Sequence, residues 1–266
     1  MGVVNVTPDS FSDGGRFLDP GAALSHARRL IGEGADILDI GGESTRPRAE
    51  PVSESEEIAR VVPLIEAIRR DSGVRISIDT MKPAVARAAM AAGATVWNDV
   101  TALRWSDESL AAAAELGCEV VLMHMLGEPR TMQDDPRYDD VVAEVRTFLA
   151  DRAEAAIAAG VARDKIWLDP GIGFGKTVAH NLALLANLEA LVSLGFPIIL
   201  GASRKRFLAA LDPSAKDPDA RLPGSLAVAL TGAAAGVAAV RAHDVAETVQ
   251  TLNVWAAIQR SGEDKD

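Results

Sequence analysis

The chain has 266 residues, 48% of them apolar, which is enough for one large hydrophobic core or two small ones. Its formal net charge is −11 without a basic run, which excludes general binding to nucleic acid or to membrane surfaces. The one cysteine, Cys118, excludes an internal disulfide framework and is typical of a cytoplasmic protein. No apolar stretch approaches the roughly 18 residues of a membrane span, and the N-terminus has no signal-peptide pattern.

Short apolar runs of the kind found in buried parallel strands recur eight times along the chain. They begin at Gly2, Asp36, Arg75, Thr95, Glu119, Ile166, Pro197 and Ala239. Amphipathic helical patterns fill the gaps, as at 21–33, 54–70 and 83–92, and glycines follow several of them. Eight strand–helix units in about 250 residues predict an α/β protein, a (β/α)8 TIM barrel with long first and second βα loops.

A doubly wound open sheet is the runner-up, but that fold usually has fewer strands and a glycine-rich first turn. The segment "GVVNVTPDSFSDGG" lacks its fingerprint. With no linker or low-complexity tract, we predict one barrel domain over residues 1–260 and a frayed tail over 261–266. The alanine-rich segment 225–240 is expected to be a buried helix running into the last strand.

Each predicted strand ends in a polar group. In chain order these are Asn5, Asp39, Asp79, Asn98 with Asp99, His124, Asp169, Ser203 with Arg204 and Lys205, and Arg241 with His243. Taken singly, most have structural explanations, such as a helix N-cap for Asp79, loop hydrogen bonds for Asn98 or a core position for His124. Because strand ends converge on the face of a barrel where active sites lie, the coincidence predicts one site.

Three glycines follow Asp169 in "LDPGIGFGKTVAHN". Their spacing does not match a Walker loop, and a glycine-rich turn alone would be an ordinary strand-to-helix connection. Glycine permits a positive φ or close approach of the backbone to a ligand. At a sixth strand end, the segment is therefore interpreted as a loop that makes room for a ligand beside Asp169.

The strand-end groups have complementary chemistry. Asp79, Asn98 and Asp169 suit a flat heterocycle with an amidine-like edge, because a buried carboxylate accepts two neighbouring N–H donors. Lys205 can donate to a ring carbonyl or nitrogen. These four residues predict a heterocycle slot.

A local basic group stands out in this acidic chain. Arg46, Arg241 and His243 predict an anionic group on the substrate, with phosphate favoured. The first two βα segments, "NVTPDSFSDGGRF" and "GGESTRPRAEPVSESEE", are long and polar, as is typical of mobile loops that cover barrel sites.

Several motifs resemble those of one known family. "NVTPDSFSDGG", "GGESTRP", "LDPGIGFGKT", "GASRKRFL" and "RAHDV" occur in the order and spacing of dihydropteroate synthase, of the pterin-binding barrel group, over nearly the whole chain. The resemblance implies transfer of the dihydropterin methylene group from 6-hydroxymethyl-7,8-dihydropterin diphosphate to 4-aminobenzoate, with release of diphosphate. It also implies Mg²⁺ as cofactor, small-molecule substrates, a homodimer and a cytoplasmic location.

The resemblance further implies roles for individual residues. Those matching the pterin site are Asp79, Asn98, Val100, Met123, Asp169, Phe174, Gly201 and Lys205. Those matching the diphosphate site are Asn5, Arg46, Arg241 and His243, with Asn5 also matching a Mg²⁺ ligand. Those matching the 4-aminobenzoate site are Thr45, Arg46, Pro47 and Ser203. The set expected to carry catalysis is Asp79, Asn98, Asp169, Lys205 and Arg241.

The chain departs from the family pattern in two places. It begins at Met1, directly at the first strand, which predicts a short strand at the barrel seam or a misassigned start. "NDVTALRW" places bulkier residues after Thr101, which alters the loop after the fourth strand but keeps Asn98 and Val100.

Other functions remain open at this point. A methyltetrahydrofolate-dependent methyltransferase would share the barrel but would not need Arg241, His243 and the two long loops. A non-catalytic pterin-binding paralogue would usually lack loop residues that are present here. A generic acidic barrel acting on a phosphosugar does not explain the pterin-type polar set.

Overall fold

The computed structural model describes residues 1–6, 20–44, 50–128 and 131–263. Within these ranges, strands and helices alternate along the chain. The strands are β1 (Gly2–Asn5), β2 (Ile37–Gly41), β3 (Arg75–Asp79), β4 (Val96–Asp99), β5 (Glu119–Met123), β6 (Ile166–Asp169), β7 (Ile199–Leu200) and β8 (Ala239–Val240). The helices are α1 (Pro20–Gly32), α2 (Glu54–Asp71), α3 (Pro83–Ala92), α4 (Ser109–Leu116), α5 (Val141–Ala158), α6 (Val178–Ala186), α7 (Leu188–Val192), α8 (Arg206–Leu211), α9 (Leu222–Ala234) and α10 (Val245–Glu263).

The strands close into a ring. Strands β1 to β6 pair in sequential order as one parallel sheet, and β7 pairs with β8 in parallel. A bridge between Leu168 and Ile198 joins β6 to the β7 side, and a bridge between Gly2 and Ala242 joins β1 to the β8 side. The seam is also hydrogen-bonded, since the amide of Val3 donates to the carbonyl of Ala242 at 3.1 Å. The predicted (β/α)8 barrel is therefore confirmed, and the open-sheet alternative is wrong.

The helices lie close to their predicted positions because their ends carry strong local signals. Helix α2 begins after Ser53, whose hydroxyl accepts from the amide of Glu56. Helix α3 begins at Pro83 and ends before Gly93, which has a φ of 114°. Segment 225–240 forms most of α9 and then β8, as predicted. The expectation that this helix is buried holds for one face only, at Val228, Ala229 and Gly232.

The last helix reaches Glu263, three residues past the predicted domain boundary at 260, while 264–266 lie outside the described residues. No helix in the described ranges has both the length and the hydropathy needed to cross a bilayer.

Alternate strand residues face the helices and the barrel interior. Leu38, Ile76 and Trp97 lie in the large hydrophobic cluster that also contains the buried helix residues. Residues of the opposite parity point into the barrel, where Val96, Val121 and Ile199 form a small inner cluster. The residues that point into the barrel include the last or the penultimate residue of each strand. The side chains at the strand ends therefore project into the mouth of the barrel.

Candidate active site

The predicted polar residues lie side by side around the barrel mouth because neighbouring strands are in register there. Asn5 pairs with Gly41, and Gly41 pairs with Asp79. Asp79 in turn pairs with Asn98 in the next strand. On the other side of the mouth, Met123 pairs with Asp169. The structure thus brings together residues that are far apart in sequence.

Arg241, directly after β8, lies between two carboxylates. Its Nε donates to Oδ2 of Asp39 at 2.6 Å, and its Nη2 donates to Oδ2 of Asp79 at 2.9 Å. Burial opposes the charge on Arg241, but the two carboxylates outweigh it and raise the pKa of the guanidinium above its ordinary value. The predicted diphosphate-binding cation is therefore also an ion-pair partner of the predicted pterin-binding carboxylate.

Asp39, a candidate absent from the predicted binding set, organises this side of the mouth. Its carboxylate is fully buried and accepts from Nδ2 of Asn98 at 3.1 Å as well as from Arg241. That bond fixes which end of the Asn98 amide faces Asp39. The polar strand end at Asp39 was visible in the sequence, but its contact with a residue 202 positions later was not.

The carboxylate of Asp79 has an unusual environment. Burial, and then the neighbouring charge of Asp39, raise the pKa of Asp79 to about 7, while Arg241 opposes the shift. Among the described residues its Oδ1 is buried without a hydrogen-bond partner. Asp79 is also not the N-cap of α3, because Lys82 occupies that position. An acceptor oxygen is thus left for a donor that the described residues do not supply.

Asp169, Lys205 and Gly201 form the facing side. Oδ1 of Asp169 accepts from the amide of Gly171 at 2.7 Å, and burial raises the pKa of Asp169, with Lys205 opposing the shift. A Cβ placed on Gly201 would lie 3.8 Å from Oδ2 of Asp169 and 3.7 Å from Cβ of Arg241. Gly201 therefore lies where the two sides of the mouth approach each other.

Apolar side chains form a patch beside these polar groups. Val100, Met123, Met125 and Met132 make a small buried cluster, against which the Phe174 ring packs. Three of the five were predicted as slot residues, whereas Met125 and Met132 in "MHMLGEPRTMQ" were not singled out. A planar ligand could stack on this patch while its edge meets the polar groups.

The loop Gly171–Gly175, here called the glycine loop, has the backbone freedom that the sequence predicted. Gly171, Gly173 and Gly175 have φ values of 65°, 82° and 60°. A Cβ on Gly171 would collide with the carbonyl oxygen of His124. The glycines thus allow the loop to pack tightly on the end of β5.

Lys205 lies against the glycine loop. Its ammonium donates to the carbonyl of Ile172 and lies 4.6 Å from the centre of the Phe174 ring. Burial lowers the pKa of Lys205 to about 8, with Asp169 opposing the shift.

Ser203 and His243, predicted to contact different substrates, touch each other. The amide of His243 donates to the Ser203 hydroxyl at 3.2 Å, and Nδ1 of His243 lies 3.1 Å from the same oxygen. Arg204 between Ser203 and Lys205 is not part of this site, because it pairs with Asp244 and Asp219. Lys205, and not Arg204, therefore lies at the mouth.

Other strand-end candidates have structural roles. His124 is packed on Phe148 and accepts from Lys176, and burial lowers its pKa to about 3. Asp99 is fully buried and accepts from Thr101 and from the amide of Leu103, so it holds the altered loop after β4. Cys118 is a buried free thiol.

The predicted residues Thr45, Arg46 and Pro47, like segment 7–19 of the first loop, lie outside the described residues. The long loops themselves are confirmed as connections, from Asn5 to Pro20 and from Gly41 to Glu54. Lys82 joins the described ends of the second loop, since its ammonium donates to Glu43 at 2.8 Å and to the carbonyl of Val52 at 2.5 Å.

The described residues offer few protein ligands for the expected Mg²⁺. In the described ranges no three His, Cys, Asp or Glu side chains are grouped to hold a metal. Asn5 places an amide oxygen near Gly41 at the mouth. Mg²⁺ prefers oxygen ligands and is commonly bound by one or two protein groups, substrate phosphates and water. The residues therefore fit a Mg²⁺ that arrives with a diphosphate, rather than one in an all-protein cage.

Comparisons with known proteins agree with this geometry. A model of pterin binding enzymes matches residues 1–243. The dihydropteroate synthase of Escherichia coli (strain K12) is 46% identical over 265 residues, which cover 100% of this chain and 93% of the relative.

Solved structures extend the comparison. Xanthomonas albilineans dihydropteroate synthase with 4-aminobenzoic acid superimposes with a TM-score of 0.91 at 51% identity, covering 97% of this chain and 92% of that one. A structure of the same enzyme in complex with 7,8-dihydropteroate gives a TM-score of 0.88 at 48% identity, with the same coverage of 97% and 92%.

A closed barrel whose strand ends gather carboxylates, an amide and cations beside an apolar patch has the architecture of a small-molecule enzyme. The chain belongs to the dihydropteroate synthase family of pterin-binding enzymes, which are transferases of alkyl and aryl groups. The resemblance inferred from the sequence is thereby confirmed.

Proposed function

We propose that the chain joins 4-aminobenzoate to the methylene carbon of 6-hydroxymethyl-7,8-dihydropterin diphosphate, giving 7,8-dihydropteroate and diphosphate. The observation that carries this proposal is the unpartnered Oδ1 of Asp79, buried beside Asn98 in the described mouth of the barrel. A pterin presents adjacent N–H donors along one edge, and a buried carboxylate binds such a pair well. Asp169 and Lys205 would complete the polar contacts, and Val100, Met123 and Phe174 would line the ring faces.

The diphosphate is assigned to Arg241 and His243, with Asn5 and Arg46 as further contacts. Negative charge grows on the departing diphosphate as the methylene C–O bond breaks, and fixed cations stabilise it. When bound, Mg²⁺ would neutralise part of the same charge, with Asn5 as its protein ligand. Since Arg241 pairs with Asp39 and Asp79 in this structure, its charge is already oriented at the mouth.

A dissociative mechanism suits these residues. The C–O electron pair leaves with the diphosphate, and the electron-rich pterin with the nearby carboxylates of Asp79 and Asp169 stabilises the cationic methylene carbon. The amine nitrogen of 4-aminobenzoate then forms the new C–N bond, and its proton passes to the released diphosphate or to solvent. An aromatic amine is neutral at pH 7, so no strong general base and no covalent enzyme intermediate are required. Thr45, Arg46, Pro47 and Ser203 are assigned to 4-aminobenzoate.

The test is diphosphate release by the purified chain with Mg²⁺ and the pterin diphosphate, with and without 4-aminobenzoate, alongside mass detection of dihydropteroate. Product that depends on both substrates supports the proposal. Pterin binding without product would indicate a non-catalytic pterin-binding protein. A purified chain that does not bind the pterin diphosphate at all would contradict the assignment of the slot.

The chain is further proposed to act in the cytoplasm as a homodimer packed through α9 and α10. In support, Val254 and Ile258 lie one turn apart on α10, with exposed fractions of 55% and 62%. Light scattering of the chain and of an Ile258→Asp variant tests this. A dimer that the substitution converts to monomer is expected, and a monomeric unsubstituted chain would contradict it.

A further inference from the structure

Lys176 lies directly after the glycine loop and is 3% exposed. Its ammonium donates to the carbonyl oxygens of Gly171 and Phe174, both at 3.0 Å, and to Nδ1 of His124 at 2.9 Å. The carbonyl oxygen of His124 lies further away, at 3.4 Å. An ammonium has three N–H donors, and the three shorter contacts use all of them. Lys176 therefore ties both ends of the glycine loop to the end of β5.

The acceptors of Lys176 in the described structure carry no charge. Burial, together with the nearby charge of Lys205, lowers the pKa of Lys176 to about 7, with Asp169 opposing the shift. A buried cation without a paired carboxylate is costly, and an apolar side chain would fill the same space at lower cost. Such perturbed groups concentrate at functional sites.

The glycine loop positions three groups of the pterin slot. The amide of Gly171 donates to the carboxylate of Asp169. The Phe174 ring packs on the Met123 cluster, and its carbonyl is one of the acceptors of Lys176. Lys205 donates to Ile172 within the same loop. Movement of the glycine loop would displace all three groups together.

Other side chains also hold this loop from outside. The carbonyl of Gly173 accepts from Gln133 at 2.6 Å, and that of Gly175 accepts from the Tyr138 hydroxyl at 2.8 Å. Gln133 is exposed, whereas Lys176 acts from the buried side and makes two of the loop contacts itself. Oδ1 of the buried Asn181 also accepts from the amide of Gly173 at 2.7 Å. Unlike these side chains, Lys176 contacts the loop at two carbonyls and also joins it to His124.

We propose that Lys176 is a positioning residue for the pterin slot: by tying the glycine loop to the end of β5, it fixes the Phe174 ring and the Asp169 carboxylate for the pterin. The inference rests on the function proposed above. Lys176 itself touches no substrate in this scheme and acts through Phe174 and Asp169. A purely structural lysine would lower stability when replaced but would leave the slot of the folded protein intact.

The test compares Lys176→Met with Arg69→Met, a matched control at the other end of the barrel. Arg69 likewise ties two loop carbonyls, those of Val74 and Gly93, at 2.9 and 2.8 Å. Both variants should unfold at lower temperature than the unsubstituted chain. Calorimetry with 6-hydroxymethyl-7,8-dihydropterin diphosphate, well below both midpoints, should show K176M at least about tenfold weaker and R69M within about twofold.

Steady-state kinetics add a measurement, the KM of each substrate, that a loss of stability alone does not change. In K176M the KM for the pterin diphosphate should rise about tenfold, while the KM for 4-aminobenzoate changes less than about threefold. If K176M fails to fold, Lys176→Gln replaces it, because its amide still donates two hydrogen bonds. K176Q should then bind the pterin diphosphate about threefold to tenfold more weakly than the unsubstituted chain.

Two contrary outcomes are distinguishable. A folded K176M or K176Q that binds the pterin diphosphate like the unsubstituted chain would overturn the positioning role alone. The same would follow if R69M weakened pterin binding as much as K176M, since general destabilisation would then explain both. An unsubstituted chain that does not bind the pterin diphosphate would overturn the proposed function, and this inference with it.

Discussion

Arg241 and Lys205 both bring positive charge to the barrel mouth, but they are held in different ways. Arg241 donates to the carboxylates of Asp39 and Asp79. Lys205 donates to a backbone carbonyl and lies over the Phe174 ring. Although burial opposes charge at both sites, the pKa of Arg241 is raised by its carboxylates, whereas burial lowers that of Lys205 to about 8.

This contrast separates two uses of a buried cation. Paired carboxylates compensate the charge of Arg241 within the fold, so removing it leaves uncompensated negative charge behind. A carbonyl compensates the charge of Lys205 only partly, so more of that charge remains available to a ligand. Substitutions of Asp79, Arg241 and Lys205 test whether the two cations differ in this way.

The largest effect is expected from Asp79→Asn, which removes one of the two carboxylates that pair with Arg241. The amide keeps the volume but cannot accept two N–H donors as a carboxylate does, so kcat/KM should fall at least about a thousandfold with the fold intact. Dihydropteroate formation and circular dichroism measure this. Asp71→Asn is the control, since Asp71 pairs with Arg28 at the surface. Near-normal turnover in folded D79N would remove Asp79 from the site.

Arg241→Ala should cost more stability than a substitution of Lys205. It leaves the carboxylates of Asp39 and Asp79 buried together, and the free energy of unfolding at pH 7 should fall by about 3 to 5 kcal/mol. The deficit should shrink as pH falls, because protonation removes the uncompensated charge. Urea unfolding at several pH values measures this, with Arg29→Ala, which removes an exposed pair with Glu33, as control.

The same R241A variant tests the diphosphate assignment. Calorimetry should show that it binds the diphosphate-bearing pterin more weakly by a larger factor than it does free pterin. Equal weakening of both ligands would contradict a diphosphate role for Arg241.

Lys205→Met should reduce pterin affinity more than it reduces stability. Its free energy of unfolding should stay within about 1 kcal/mol of the unsubstituted chain, since no carboxylate loses a direct partner, while pterin affinity falls about tenfold. Lys165→Met, which removes an exposed lysine from the carbonyl of Gly117, is the matched control. A loss of stability in K205M as large as that in R241A would show that the two cations are not held differently.

The smallest effect is a pH dependence of pterin binding. With its pKa raised to about 7, Asp79 is increasingly protonated below neutrality and accepts N–H donors less well. Pterin affinity should therefore rise severalfold between about pH 6 and pH 8, at most tenfold per pH unit. The charges of Asp39, Glu57 and Asp99 raise the pKa of Asp79, and that of Arg241 lowers it.

Calorimetric dissociation constants at half-unit steps measure this profile. Asp39→Asn removes the nearest like charge, so it should move the midpoint to lower pH. The folded-state pKa of Asp79 lies above its unfolded value, so its contribution to stability should decrease as pH rises from about 4 to about 7. A pterin affinity that is constant between about pH 6 and pH 8 would exclude titration of Asp79 in binding.

Much of the barrel could be predicted because its signals are local. Apolar runs fixed the positions of the strands, and caps such as Ser53 and Gly93 marked helix ends. The polar strand ends located the mouth because parallel strands of a barrel all point one way. The shortness of β7 and β8, two residues each, was not evident, since "PIILGAS" and "AVRAHDV" read as longer strands.

The contacts inside the site could not be predicted, because they join distant residues or involve the backbone. The pairing of Arg241 with Asp39 spans 202 positions. Lys176 binds carbonyl oxygens, which every residue possesses, so no residue type marks them. Met132 packs in one cluster with Met123 at the end of β5, a contact that its position in the sequence does not indicate.

The pairing of Arg241 also bears on how the chain is made. Asp39 and Asp79 leave the ribosome long before Arg241, so a nascent chain that has reached residue 200 holds both acids and lacks the cation that neutralises them. Burying those acids at that stage is unfavourable. The mouth of the barrel therefore cannot be completed before synthesis has passed the eighth strand, because Arg241 directly follows it.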